Sequence, residues 1–451
     1  MNKLFIALVL TLLGSTSLAA DCISKSEMQT IASHFSQFRQ LANKDYCYDG
    51  SQTANLLQAI MFMRKTAFEP NMQKSQDELF SGRFSSSWYD YFIGRIEDID
   101  VQANCPKGVG AYVYGFGNTM YVCPMMLTES FSALDRASVF MHEARHIDGY
   151  PHTTCSRGAR KGLSGACDTR ISDGGSYAVS VETYAQLAKY ATDIHPALKA
   201  YAMSSAVTYA DEAFEVPVKI DREQKLLLMA ESTQLYSMDL SGNNKLTALG
   251  NAPFLGKIVP RAQHMILIPT DRTQNARYMF ANNEGEIVQS AGDSIVEYNT
   301  QAPAQRAELA DLHLGAQWTA KVYTSKITFA CDPRSPSAKD VKIPQGEAVS
   351  ILYTNGYSRA ARSNYLLASN GQVYEFGCNE RGLSPFINPV NTPMASGLVR
   401  AYKVNGQVIG LTDTGSLVAV NGTQTTPLNT GLDGQIYEIA PRESFSFMDA
   451  Q

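Results

Sequence analysis

The chain has 451 residues, of which 44% are hydrophobic, and its 38 Lys and Arg against 43 Asp and Glu give a formal charge of −5. That balance leaves no basic footprint for nucleic acid or an anionic membrane surface, and the hydrophobic content sets disorder aside as the default. The length is long for one domain, so two or three are expected.

In chain order, Met1-Asn2-Lys3 is a short basic lead into the apolar run Leu4–Leu13, followed by small residues to Ala20. Residues 1–20 therefore read as a secretory signal peptide, and a secreted or periplasmic protein is expected. No later stretch is long and apolar enough for a membrane span. Cys22 as a lipid-anchored start is disfavoured, because Asp21 stands where such an anchor wants a small residue. The eight cysteines are even in number and include no Cys-x-x-Cys pair, which in an exported chain argues for disulfides. Nearest-neighbour pairing gives Cys22–Cys47, Cys105–Cys123, Cys155–Cys167 and Cys331–Cys378, although sequence alone does not fix connectivity.

From 21 to about 104 the chain reads as mainly helical, with apolar residues at helical spacing over Met28, Ile31, Ala32, Phe35 and Phe38, and again over Leu56, Leu57, Ile60, Met61 and Met63. Ala111–Tyr114 and Met120–Cys123 are aromatic and β-branched runs separated by a Gly-rich turn, which predicts a hairpin. It is either a purely structural hairpin closed by Cys105 and Cys123 or an edge on which an extended peptide adds as a strand.

Ser132-x-x-Asp135 then opens a helix whose inner side is Leu134, Ala137, Phe140, Met141 and Ala144. His142 and His146 are four apart, which stacks two imidazoles on one helix face, close enough to share a metal ion. Glu143 stands at the edge of the same site, placed to take a proton from metal-activated water. Gly149 is suited to ending the helix in a left-handed turn and Pro151 prevents its resumption, so His152 can return toward the pair. A site of neutral imidazoles suits Zn²⁺ better than calcium or magnesium.

The run His142-Glu143-x-x-His146-x-x-Gly149-x-x-His152 resembles the extended zinc signature of the metzincin metallopeptidases at every defined position. The resemblance implies an α+β zincin-like metallopeptidase domain over residues 21–214, with His142, His146 and His152 holding zinc and Glu143 as general base. Two departures stand out: Thr153 follows the third His, and no methionine turn is recognisable, Met203 being only a candidate. The order of hairpin, zinc helix, later Asp and Tyr-containing helix also resembles the aspzincin or deuterolysin-like peptidases, without their Gly-Thr-x-Asp element. Glu182, Asp173 and Asp168 therefore stand beside His152 as alternatives for the third ligand.

The Cys155–Cys167 interval, if bridged, would brace the loop carrying the third ligand. Within it the cluster Arg157-Gly-Ala-Arg160-Lys161 is either a substrate-contacting loop or a solvated turn. Helices are expected over about 177–190 and 196–214. On the first, Tyr177 or Tyr184 could donate a hydrogen bond to an oxyanion, the alternative being an ordinary core-edge tyrosine.

Beyond about Glu215 the texture changes to short β-rich runs with turn residues. The phrases Thr233–Tyr236, Gly285–Val288, Gly371–Tyr374, Gly415–Val418 and Gly434–Tyr437 recur, the third and fourth forty-four residues apart and the second and third eighty-six. Near-doubling of the interval suits the blades of a β-propeller over residues 215–451, with a β-sandwich pair or irregular β domain as alternatives. The expected whole is a secreted or periplasmic zinc-dependent endopeptidase acting on a protein or peptide substrate, with a recognition domain for a protein or glycan partner. The rival is a non-catalytic exported binding or scaffold protein with a structural metal.

Overall fold

The computed structural model describes residues 22–449, except 71–86, 107, 116, 224, 241–243, 262–263, 283–284, 290–294, 316–317, 333–336, 354–362, 380–383, 392 and 405. The expected signal peptide lies outside the described residues. All four disulfides form between sequence neighbours: Cys22–Cys47, Cys105–Cys123, Cys155–Cys167 and Cys331–Cys378. No helix among the described residues is long and apolar enough to cross a membrane.

The first part is helical around a small sheet. Strand β1 (Cys22–Ile23) leads into helix α1 (Lys25–His34), which buries Met28, Ile31 and Ala32. Strand β2 (Tyr46–Cys47) pairs with β1. Helix α2 (Gln52–Lys65) buries Leu56, Leu57, Ile60, Met61 and Met63, the positions that its spacing marks as apolar. After the short helix α3 (Trp88–Ile93) come strands β3 (Asp98–Val101), β4 (Ala111–Val113) and β5 (Thr119–Val122). In this sheet β5 is central, β3 lies parallel to it and β4 is the antiparallel edge. Met120 and Val122 are buried, whereas Tyr112 and Tyr121 stack with ring centroids 5.1 Å apart. Helix α4 (Ala133–Ile147) packs beside β4, and helices α5 (Ser176–Tyr190) and α6 (Pro196–Glu212) pack against each other behind it.

From Ile220 onward the described residues are mostly strand, in five four-stranded antiparallel sheets and a two-stranded pair of Ile220–Arg222 with Phe445–Met448. The first takes three strands within 225–251 and completes itself with Ile436–Arg442, so the end of the chain is sewn to the beginning of the β-rich part. The other four are consecutive, each running outward in chain order from 256, 309, 348 and 398. The lead strands touch one another in a cycle: Gly256–Arg261 meets Ile436–Arg442 and Leu309–Leu314, which meets Ala348–Leu352, then Leu398–Val404, then Ile436–Arg442 again.

One arginine ties this cycle together. Arg400, 2% exposed, donates from Nε to Glu438 Oε1 at 2.7 Å, from NH2 to the carbonyl of Ile258 at 3.2 Å and from NH1 to Asp311 Oδ2. Asp311 Oδ2 also accepts from the backbone N–H of Ile351 at 2.8 Å. Arg400 and these partners together sit on all five sheets, and a buried charge so fully paired resists any arrangement that leaves one of its partners unmatched.

The two parts share one apolar core. Leu227, Met229, Leu249 and Ala440 join the cluster formed by α4, α5 and α6. Hydrogen bonds from Ser204 Oγ to the Glu443 carbonyl (3.0 Å) and from Lys189 Nζ to the Ser446 carbonyl (2.6 Å) cross the same junction.

Candidate metal centre

Helix α4 is anchored before it presents anything. Ser132 Oγ accepts from the Asp135 amide and Asp135 Oδ2 accepts from the Ser132 amide, both at 3.1 Å, closing the expected capping box. The other carboxylate oxygen, Oδ1, accepts from Tyr184 Oη at 2.9 Å and Tyr201 Oη at 2.8 Å, which ties the start of α4 to α5 and α6. Of the two readings open for Tyr184, oxyanion donor or core tyrosine, the second holds: it is buried and anchors the helix start. Leu134, Ala137, Phe140, Met141 and Ala144 are all buried, as their spacing requires.

With that side inward, His142 and His146 emerge together, ring centroids 5.0 Å apart. Helix α4 ends at Ile147, and Gly149 takes φ 87°, a left-handed turn that suits glycine. His152 then comes back. Its Nε2 stands 3.0 Å from His142 Nε2 and 3.1 Å from His146 Nε2. Among the described residues, these three offer donor atoms within 4.8 Å of one another, a group able to hold a metal ion.

The outer ring nitrogens explain why the inner ones are bare. His146 Nδ1 lies 2.6 Å from the Tyr150 carbonyl, which can only accept. His152 Nδ1 lies 2.9 Å from Asp168 Oδ1. His142 Nδ1 lies 3.1 Å from Ser180 Oγ, whose own proton goes to the Ser176 carbonyl at 3.3 Å. Each Nδ1 thus has an oxygen able to accept its proton, the tautomer that turns the Nε2 lone pairs toward one another. Burial, reinforced by the neighbouring histidines and Arg160, holds the His142 imidazole well below its ordinary range. Burial first, then His152, brings His146 down to about 4. The neutral imidazole that results is the ligating form.

Asp168 is itself clamped. Its Oδ2 accepts from the Tyr177 amide at 2.8 Å, in the first turn of α5. Its backbone accepts from Glu215 and donates to Ala213, both at 2.9 Å, at the end of α6. A Cβ on Gly175 would lie 2.5 Å from Oδ2, so glycine is what lets α5 start this close. The Cys155–Cys167 disulfide and the Thr153 amide bond to the Cys167 carbonyl (2.7 Å) fix the same loop.

The alternatives for a third ligand fall away from the group. Asp168 stands behind His152 as its hydrogen-bond acceptor, Asp173 is exposed at the end of a short 3-10 turn, and Glu182 is fully buried within α5. Met203, the one candidate for a methionine turn, lies inside α6.

Glu143 is 7% exposed, and burial alone pushes its carboxyl up to about 8. A carboxyl near neutrality can accept and return a proton at working pH. Tyr177 lies against two of the histidines, 4.7 Å from the His142 ring and 4.5 Å from the His152 ring. Its own pKa is raised, by burial first, with Glu143 among the smaller contributors. Sequence reading missed the support given by Ser176 and Ser180. The available signal was their four-residue spacing on α5, which matches that of His142 and His146 on the helix it faces.

No known family's sequence pattern matches the chain, and no curated protein matches it. Among solved structures, similarity is found to a protein from Lactobacillus plantarum (11% identity over 48% of this chain and 70% of that one, TM-score 0.24). It is also found to the Porphyromonas gingivalis type-IX secretion component PorZ (9%, 47% and 27%, TM-score 0.24). A third is the β-propeller domain of Cps50 (Swd1) from Myceliophteria thermophila (11%, 46% and 69%, TM-score 0.25). Likenesses this faint assign neither fold nor function.

Proposed function

We propose that this protein is a secreted or periplasmic zinc-dependent endopeptidase, with a zincin-like domain over residues 21–214 and a five-bladed β-propeller over 215–451. The observation that carries the reading is the convergence of three imidazole Nε2 atoms, His152 at 3.0 Å from His142 and 3.1 Å from His146, while each Nδ1 faces a hydrogen-bond partner of its own. Three acceptors facing one another repel unless a cation lies among them. Nitrogens bound to zinc at about 2.0–2.1 Å in a tetrahedron stand slightly farther apart, about 3.3–3.4 Å, so the histidines fit the ion with little movement.

Zinc held by His142, His146 and His152 would supply Lewis acidity toward water and the scissile carbonyl. Glu143 accepts the proton of the attacking water and returns it to the departing amine. Tyr177 positions the His152 ring and offers its hydroxyl to developing negative charge. Edge strand β4, beside α4, is the place for an extended peptide to pair. The lead-strand cycle and the Arg400 cluster support a closed propeller, read as a platform for a protein or glycan partner.

The test is metal analysis of the purified protein, followed by cleavage of a mixed peptide library by wild type and Glu143→Gln. Stoichiometric zinc with cleavage that only the wild type performs supports the reading. Equal cleavage by both overturns the mechanism. Bound zinc without cleavage by either turns the protein into a binding or scaffold protein with a structural metal.

A further inference from the structure

We infer that the Cys155–Cys167 loop forms a carboxylate-recognising subsite beside the histidine triad, with Arg160 reading an acidic group near the scissile bond. This rests on the peptidase reading above.

The loop carries three cations that do different things. Arg157 is spent on the fold, its Nε donating to the carbonyls of Phe214 (3.1 Å) and Glu215 (2.9 Å). Lys161 is exposed. Arg160 turns inward instead: its guanidinium lies 4.8 Å from the centre of the Tyr177 ring and 5.3 Å from that of Tyr209. Tyr177 in turn packs on His152 at 4.5 Å, so imidazole, phenol and guanidinium form three successive layers. The cation is thus one ring away from the triad, and its charge is felt at His142.

Its internal partners leave capacity unused. NH1 donates to the Ala166 carbonyl at 3.1 Å, the Tyr177 hydroxyl takes a further hydrogen bond, and Glu212 Oε2 forms an ion pair with Nε at 3.8 Å, longer than a direct hydrogen bond, so several of the guanidinium N–H donors remain for a ligand. The Arg160 side chain keeps 20% of its surface open. A planar guanidinium held on aromatic faces, loosely countered and reachable by solvent, suits paired hydrogen bonds to a carboxylate. The disulfide and the Gly162 amide bond to the Cys155 carbonyl (2.7 Å) keep the loop that carries it in place.

A carboxylate can come from an Asp or Glu side chain or from a peptide C-terminus. The experiment therefore uses zinc-loaded protein and two matched peptide pairs: internal Glu against Gln, and free C-terminal acid against amide. In wild type, one pair should show about a tenfold or greater preference for the acid, mainly through KM. The acid-to-neutral ratio should fall close to one in Arg160→Gln, whatever that variant's absolute rate, and should survive in part in Arg160→Lys. Reading a ratio within each variant separates recognition from packing, since a structural defect slows both members of a pair alike. Wild-type cleavage with no acid preference, or an unchanged ratio in Arg160→Gln, overturns the subsite and leaves the peptidase reading standing. If no peptide is cut, the peptidase reading fails and takes the subsite with it.

Discussion

Asp168 joins two elements through its two oxygens: Oδ1 receives the Nδ1 proton of His152 at 2.9 Å, and Oδ2 receives the Tyr177 amide at 2.8 Å. The third histidine is thereby oriented from the first turn of α5, not by the helix that carries the other two. A carboxylate in this role fixes the tautomer of the ring and raises its basicity toward a metal.

Asp168→Asn should therefore weaken zinc binding by about ten- to a hundredfold while leaving a folded protein. Gly175→Ala, which drives a methyl group at the same carboxylate, should move affinity the same way. Chelator competition monitored alongside circular dichroism checks both. Unchanged affinity in Asp168→Asn would show that the loop alone positions His152.

Glu143→Gln should lower peptide cleavage by roughly two to four orders of magnitude. It should also stabilise the metal-free protein at alkaline pH. A carboxyl at 4.5 when unfolded and about 8 when folded binds more protons in the folded state between those values. It therefore removes stability as pH rises through that window, and Gln carries no such burden. Thermal melts of both metal-free proteins between pH 5 and pH 9 should diverge upward. Parallel curves would mean that the carboxyl is solvated.

Tyr177→Phe keeps the ring that packs on His142 and His152 and deletes the hydroxyl. Zinc affinity should hold, while kcat falls by roughly 10²–10³ if the hydroxyl meets developing charge. Loss of zinc affinity with unchanged kcat in the zinc-saturated variant would assign the tyrosine to packing alone.

Arg400→Met strands Asp311 and Glu438 without their shared cation in the centre of the β-rich part. Removing one partner of such a buried cluster costs about 3–5 kcal/mol. Chemical denaturation should show the loss. Zinc content measured under native conditions should stay as in wild type, because the cluster lies on the five sheets and not on α4 or α5.

Local signals were the legible ones. The capping box at Ser132, the buried stripe from Leu134 to Ala144 and the turn at Gly149 are all read from neighbours in sequence, and all take their expected form. The repeated turn phrases do mark left-handed turns at Thr233, Gly285, Gly371, Gly415 and Gly434. They occupy different places in their sheets, however, so their spacing misled. Third strands begin at 234, 277, 326, 373 and 417, between forty-three and forty-nine residues apart. The regular interval was present but was carried by strand order, which no single phrase reveals.

The sequence by itself determined the pair on α4, the acid between them and the means of bringing His152 back, because helix pitch and turn chemistry act over a few residues. Only the tertiary structure decided that Asp168 stands behind the triad instead of in it, that Tyr184 secures a helix start and that Arg400 joins five sheets. Those roles depend on which distant segments share a low-dielectric interior. There an unpaired carboxylate or guanidinium is too costly to leave, so its partner is chosen by packing and not by distance along the chain.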